Sequence, residues 1–211
     1  TLDATRGFTL NANRGVAVGS AAGGFGTITV APGQTLSYGG VVAGNGGGGD
    51  LVKNGFGTLS LSGINTYSGA TSNRIGTLTL DFTQAGSPVS NIISPGSQLT
   101  LGGENAGFGA ENFAQLTELG NAAVANSQTF SSTHFTFAAS IIQAISGAGG
   151  SASLNLGQLS HDPGASLLFL LPQLSGGTGS ISTTSPNVNG ILGGWALMGD
   201  GTAYTSGGNS A

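Results

Sequence analysis

The chain has 211 residues, of which 41 are glycine and none is cysteine, and its formal net charge is −4. The lack of cysteine excludes disulfides and thiolate metal sites, and glycines without a three-residue period, with only six prolines, exclude collagen. Only 6% of the residues are charged, about a quarter of the usual share, so Thr, Ser, Asn, Gln and Gly must form the polar faces.

The few charges are placed unevenly along the chain. The first 74 residues hold all four basic residues against Asp3 and Asp50, whereas the remainder carries six acids and no lysine or arginine. This balance argues against a nucleic-acid partner. No segment approaches the roughly 18 apolar residues of a membrane helix, so we do not expect the chain to span a membrane.

Short alternations of polar and aliphatic residues, separated by glycine clusters, predict strands through the first 103 residues. These strands are predicted at residues 8–10, 16–18, 27–30, 35–38, 51–52, 58–61, 77–82 and 98–101. The pattern then changes, and Phe113 and Leu116 at helical spacing, followed by Gly120, predict a short helix within residues 111–119. Residues 104–125 are therefore expected to be irregular or to contain that helix.

Alternating segments return from residue 126 onwards. They predict strands at residues 128–137, 141–145, 153–159, 166–171 and 180–184. No linker divides the chain, so we expect one elongated domain over residues 1–211. Within it, residues 126–211 either continue the architecture of the first part, in a less regular form, or fold as a sandwich.

One short sequence occurs twice within residues 53–80. Gly-Thr-Leu-Ser-Leu at 57–61 is followed nineteen residues later by Gly-Thr-Leu-Thr-Leu at 76–80. Each copy describes a strand with one apolar and one polar face, and such a unit buries its apolar face only against a neighbouring copy. The sequence therefore predicts an all-β solenoid with about twenty residues and about 4.8 Å per turn, and a length on the order of 50 Å.

Residues 53–80 resemble the autotransporter-associated β-strand repeat, also called the passenger-associated transport repeat. Phe56 and Arg74 depart from its usual form. The matching positions, for which the resemblance implies a structural role, are Lys53, Gly55, Gly57, Thr58, Leu59, Leu61, Ser62, Gly63, Asn65, Thr66, Tyr67, Gly69, Thr71, Gly76, Thr77, Leu78 and Leu80.

Three other segments resemble parts of the same surface proteins. They are Arg14-Gly15, Asn-Ser-Gln-Thr-Phe at 126–130 and Asn-Gly-Ile-Leu-Gly-Gly-Trp-Ala at 189–196. The resemblance implies a secreted or surface-displayed, right-handed parallel β-helix that acts as a stalk, adhesin or fibre. It implies no catalytic residues.

Candidate catalytic residues are few. His161 and Asp162 are adjacent, so in a strand their side chains would point to opposite faces, and the Pro-Gly that follows favours a turn. His134 falls on the polar face of its predicted strand, where we expect it to be solvated. The sequence therefore predicts neither a catalytic site nor a bound cofactor.

Glu104, Glu111 and Glu118 recur every seven residues and would align on one face of a helix. Calcium needs several more oxygen ligands than three carboxylates supply at this spacing, so we predict no metal site.

These observations predict a non-enzymatic structural protein outside the cell or on its surface. In this interpretation the chain is a β-solenoid subunit of a filament, sheath or stalk that assembles head to tail into a homopolymer. The alternative is an adhesin module that binds a glycan or a host surface through turns near Trp195. A polysaccharide-degrading enzyme ranks third, because Lys53 and Arg74, the basic residues of the regular region, both lie inside the repeat.

Overall fold

The computed structural model describes residues 1–20, 23–46, 48–103, 113–170, 176–187 and 192–199. These residues form short β-strands and no helix, so this part of the chain holds no helix long and apolar enough to cross a membrane. The strands are β1 (Leu2–Ala4), β2 (Phe8–Leu10), β3 (Val16–Val18), β4 (Phe25–Val30), β5 (Thr35–Tyr38), β6 (Val42–Gly44), β7 (Asp50–Asn54), β8 (Thr58–Leu61), β9 (Thr71–Asn73), β10 (Gly76–Asp81), β11 (Gln98–Leu101), β12 (Phe113–Leu119), β13 (Ala125–Thr129), β14 (Ser132–Phe135), β15 (Ala138–Ile145), β16 (Ser151–Asn155), β17 (Gln158–His161), β18 (Ala165–Leu170), β19 (Thr178–Ser182) and β20 (Ala196–Gly199).

Two long parallel sheets form the first two faces of the molecule. The first face has the order β1-β4-β7-β9-β11-β14-β17, and the second has the order β2-β5-β8-β10-β12-β15-β18-β20. The chain visits the faces in turn and so forms a β-solenoid of about seven turns. This confirms the predicted fold class, and the strands after residue 126 continue the same faces.

The third face combines strands with irregular segments. Its strands form two sheets, β3-β6 and β13-β16-β19. Between them, Thr66 N–H donates to Val42 O at 2.9 Å, Asn65 N–H donates to Ile92 O at 2.9 Å, and Asn91 N–H donates to Ser127 O at 2.8 Å. Backbone hydrogen bonds therefore connect the two sheets through residues that are not in strands.

The predicted turn of about twenty residues holds only in the repeat. Leu59 pairs with Leu78, nineteen residues later, but Leu78 pairs with Leu116, thirty-eight residues later. Among the described residues, extra length lies between strands, as in residues 82–97 between β10 and β11, where lengthening a connection costs little free energy. With about seven turns at about 4.8 Å each, the described solenoid is roughly 35 Å long, shorter than predicted.

The helix predicted within residues 111–119 is wrong for the described part, residues 113–119. These residues form β12, which pairs with β10 on one side and β15 on the other. Leu116 and Glu118 point inward at a spacing of two, so the helical spacing of Phe113 and Leu116 was coincidental. The two flanking strands impose the extended conformation, since tertiary pairing overrides weak local preference.

The core consists of inward side chains aligned along the axis. On the second face, register places Leu36, Leu59, Leu78, Leu116, Ile142 and Phe169 in one line across six turns. All but Phe169 are fully or almost fully buried. Burial of this apolar surface is the main term that stabilises the stack.

Replacing Leu78 with alanine tests this line of side chains. The variant removes a fully buried side chain with neighbours on both adjacent turns, so we expect the free energy of unfolding to fall by about 2–5 kcal/mol in chemical denaturation. Thr77→Ala, at the partly exposed position beside it, should change it by no more than about 0.5 kcal/mol. Equal effects of the two changes would contradict the inward orientation of Leu78.

Candidate functional site

The repeat segment at residues 53–80 forms the regular centre of the solenoid. Leu59 and Leu61 on β8 lie side by side with Leu78 and Leu80 on β10, and all four side chains are fully buried. Thr58 and Thr77, which precede Leu59 and Leu78, are register partners and are partly exposed. The recurring sequence thus places equivalent side chains next to each other on successive turns.

Asn65 connects three turns at one corner of the third face. Its Oδ1 accepts a hydrogen bond from the Val42 backbone N–H at 2.9 Å, on the preceding turn. Its Nδ2 donates to Ile92 O at 2.9 Å on the following turn, and to Gly63 O at 3.2 Å. Because an amide side chain combines an acceptor with two donors, it can satisfy backbone groups above and below it at once.

Tyr67 is fully buried at the next corner position. Its hydroxyl oxygen lies 2.6 Å from Thr71 Oγ1, which in turn lies 3.1 Å from Ser97 Oγ. The Ser97 hydroxyl donates to Gly69 O at 2.8 Å. Each buried hydroxyl therefore has a partner, which is the condition under which polar groups are tolerated in a core.

Glycine is required at two repeat positions because the preceding turn approaches the backbone closely. A Cβ at Gly63 would overlap the carbonyl oxygen of Gly40. Gly76 has a φ of +71°, and a Cβ there would lie 2.5 Å from Gly55 O and 2.7 Å from Gly57 O. A side chain at Gly76 is thus excluded both by backbone conformation and by space.

Lys53 and Asn73 are large polar side chains at inward positions of the first face. Lys53 and Asn73 are register partners on β7 and β9, and both are fully buried. The Lys53 amino group donates to the carbonyls of Gly55 and Ile75, and Asn73 Nδ2 donates to Gly76 O at 3.0 Å. Burial lowers the pKa of Lys53 to about 7. These contacts fix the corner that leads from β9 into β10.

Glu118 interrupts an apolar line on the second face. Register places it between Leu80 and Ala144, and its side chain is fully buried. Neither carboxyl oxygen has a hydrogen-bond partner of normal geometry. Burial raises the pKa of Glu118 to about 8, an effect that the nearby Ser153 backbone partly opposes. The carboxyl is therefore held as the neutral acid in the folded chain at neutral pH.

The three glutamates considered as a cation site do not form one in the described part of the chain. Glu104 and Glu111 lie outside the described residues, and Glu118 points into the core. Among the residues that the structure describes, no group of three or more His, Asp or Glu side chains is placed to hold a metal ion.

The first turn exposes apolar side chains at one end of the solenoid. Phe8 on β2 is 43% exposed, whereas its register partner Leu36 on the next turn is 1% exposed. Leu2 and Leu10 are also only partly buried. In the described chain, β1 and β2 each pair with a strand on one side only. Among the described residues, the apolar positions of the first turn are therefore covered on one side only.

A serine, a histidine and an aspartate meet on the outer surface of the first face. His134 on β14 is the register partner of Ser160 on β17, and His134 Nδ1 lies 2.9 Å from Ser160 Oγ. His134 Nε2 lies 3.3 Å from Asp162 Oδ1. The prediction that His134 is simply solvated misses both contacts, because they join residues 26 and 28 positions apart in the sequence.

Trp195 packs against the last turns of the first face. Its ring centroid lies 4.4 Å from that of His161 and 5.5 Å from that of Phe135. The Leu167 backbone N–H donates to Trp195 O at 2.8 Å. The indole therefore covers inward positions of the solenoid, an arrangement that favours a capping role over an exposed platform for sugars. The side chains of His161 and Asp162 do separate to opposite faces, as predicted.

Comparisons of the chain with protein-family models, with curated proteins and with solved structures gave no match.

Replacing Glu118 with glutamine tests the state of the buried acid. The pKa of the Glu118 carboxyl rises from 4.5 to about 8 on folding. The contribution of the neutral carboxyl to the free energy of unfolding of the wild type is therefore fully present below pH 4.5. It is lost as the pH rises to about 8, by up to about 1.4 kcal/mol per pKa unit. Glutamine does not titrate. The stability advantage of Glu118→Gln over wild type should therefore be small at pH 4.5 and reach a few kcal/mol at pH 8, measured by chemical denaturation. An advantage that is equal at both pH values would contradict the raised pKa.

Proposed function

We propose that the chain is a structural segment of an extracellular filament or surface stalk, in which copies stack head to tail along the solenoid axis. The observation that carries this proposal is the exposed core at the first turn. Phe8, Leu10 and Leu2 occupy positions that are filled by buried side chains on later turns.

An added parallel turn would cover this end in the manner of every internal turn. The free edges of β1 and β2 offer backbone donors and acceptors, and strand edges of this kind pair with further strands. Covering Phe8 alone would bury a large apolar side chain that is now 43% exposed, and such burial is favourable.

The other end of the described residues supplies a second apolar edge. β20 is the last strand of the second face in the part of the chain that the structure describes, and it exposes Leu197 and Met198, by 57% and 72% respectively. The first 74 residues carry a net positive charge and the remainder a net negative one, which favours contact between unlike ends. A contact between different surfaces that does not close into a ring produces a fibre.

The location outside the cell in this proposal comes from the resemblance of residues 53–80 to the autotransporter-associated repeat. The structure is compatible with that resemblance, because the matching positions carry the buried leucines, the Asn65 bridge and the close glycine contacts. Long repeats of this type produce stability through many equivalent contacts between neighbouring turns. Such stability suits a load-bearing stalk.

Phe8→Asp tests the proposed assembly. A carboxylate at the exposed core would oppose the addition of another turn, because a buried charge without a partner is costly. We expect wild-type protein to form rods that lengthen with concentration in light scattering and electron microscopy, and Phe8→Asp to remain as single particles roughly 35 Å long.

Phe137→Asp is the matched control for this experiment. Phe137 is exposed to a similar extent, 45%, but lies between β14 and β15, away from the first turn. This variant should still form rods. Wild-type protein that stays monomeric at every concentration, or equal loss of rods in both variants, would overturn axial stacking through the first turn.

A further inference from the structure

The cluster of His134, Ser160 and Asp162 combines one hydrogen bond with one close charge pair. Asp162 Oδ1 lies 3.3 Å from His134 Nε2, and a carboxylate beside that nitrogen favours, by electrostatic attraction, the imidazole tautomer that carries its proton on Nε2. In that tautomer Nδ1 is an acceptor, and the Ser160 hydroxyl at 2.9 Å donates to it. A base that is oriented by an acid and accepts from a serine is the arrangement that activates a serine nucleophile.

The three side chains are held by the solenoid itself. His134 and Ser160 are neighbours because β14 and β17 pair in register. Asp162 follows β17 directly, and its backbone N–H donates to Phe135 O at 2.9 Å. His134 also has Thr100 beside it on the preceding turn. The relative positions of base and nucleophile are therefore set by backbone hydrogen bonds of a rigid sheet, not by a loop.

The nucleophile is open to solvent. Ser160 is exposed, and the side chains of His134 and Asp162 are 30% and 47% exposed. The strand alternation that directs the Asp162 N–H towards β14 directs the N–H of His161 to the opposite edge of β17, where no described strand pairs with it. The N–H of the residue after a nucleophilic serine is a donor that can stabilise an oxyanion.

We propose that Ser160, His134 and Asp162 form an acyl-transfer site that hydrolyses small, unhindered carboxylic esters on the outer surface of the solenoid. Ser160 Oγ attacks the ester carbonyl carbon while its proton passes to His134 Nδ1. The carbon–oxygen bond to the alcohol breaks, and the alcohol leaves with that proton. Water then attacks the acyl-serine, again with His134 as base, and releases the carboxylic acid and the free serine.

This activity goes beyond the structural role proposed above and does not rest on it. The exposure of Ser160 sets the substrate class, because an exposed serine selects for accessible ester groups and not for a particular large substrate. Asp162 acts as a positioning residue through His134, whereas Ser160 and His134 are the catalytic residues.

The test uses the purified 211-residue chain with a fluorophosphonate probe and with 4-nitrophenyl acetate. We expect the probe to label Ser160, as located by peptide mass spectrometry. Ser160→Ala should abolish that labelling and lower ester turnover by at least about 100-fold, and His134→Gln should lower both to a similar extent. Asp162→Asn should reduce ester turnover because His134 loses its positioning partner, although Ser160 itself is unchanged.

Ser180→Ala is the matched control. Ser180 is an exposed serine whose hydroxyl donates to another serine, Ser153, at 3.1 Å, with no imidazole in that pair. This variant should retain full labelling of Ser160 and full turnover. Failure of the probe to label wild-type Ser160, or undiminished turnover in Ser160→Ala, would overturn the proposal. Undiminished turnover in Ser160→Ala would mean that the imidazole of His134 cleaves the ester without Ser160.

Discussion

The parallel register between successive turns is the constraint on which the rest of this structure depends. Each turn can bury its apolar side chains only if they fall directly beside those of the turns above and below, as Leu59, Leu78 and Leu116 do. Backbone hydrogen bonds enforce that alignment on all three faces, including the irregular part of the third face. Corner loops are free to vary in length because they do not enter the register.

The polar residues inside the solenoid are tolerated to different degrees. Asn65 satisfies backbone groups of Val42 and Ile92 on the two neighbouring turns and of Gly63 on its own turn, and Lys53 binds two carbonyls at a corner. Glu118 has no comparable partner and avoids the cost of a buried charge by remaining protonated. Asn65 and Lys53 contribute to the positioning of corners, whereas burial holds Glu118 as the neutral acid by raising its pKa.

A fold whose interior is fixed by register leaves its outer surfaces available for other chemistry. Neighbouring outer positions on adjacent turns are held as firmly as the core positions between them, so polar side chains far apart in sequence are brought together on one face. His134 and Ser160 are such a pair, and Asp162 completes the group. Axial stacking at the first turn and ester cleavage on the side of the rod would use different surfaces and would be compatible.

The amino-acid sequence by itself determined part of the strand pattern, since alternation identified β2, β3, β5, β8 and β11 with their bounds, and the repeated Gly-Thr-Leu sequence predicted stacked parallel turns. It missed β1, β6, β20 and β9, the last with polar inward residues Thr71 and Asn73. It also joined β13 to β14 and β16 to β17 as single predicted strands, and it predicted a helix where β10 and β15 impose the strand β12. Only the tertiary structure decided the lengths of the turns, the burial of Glu118 and the meeting of His134 with Ser160 and Asp162. These depend on which residues become neighbours across turns of unequal length, and a local pattern along one strand does not contain that register.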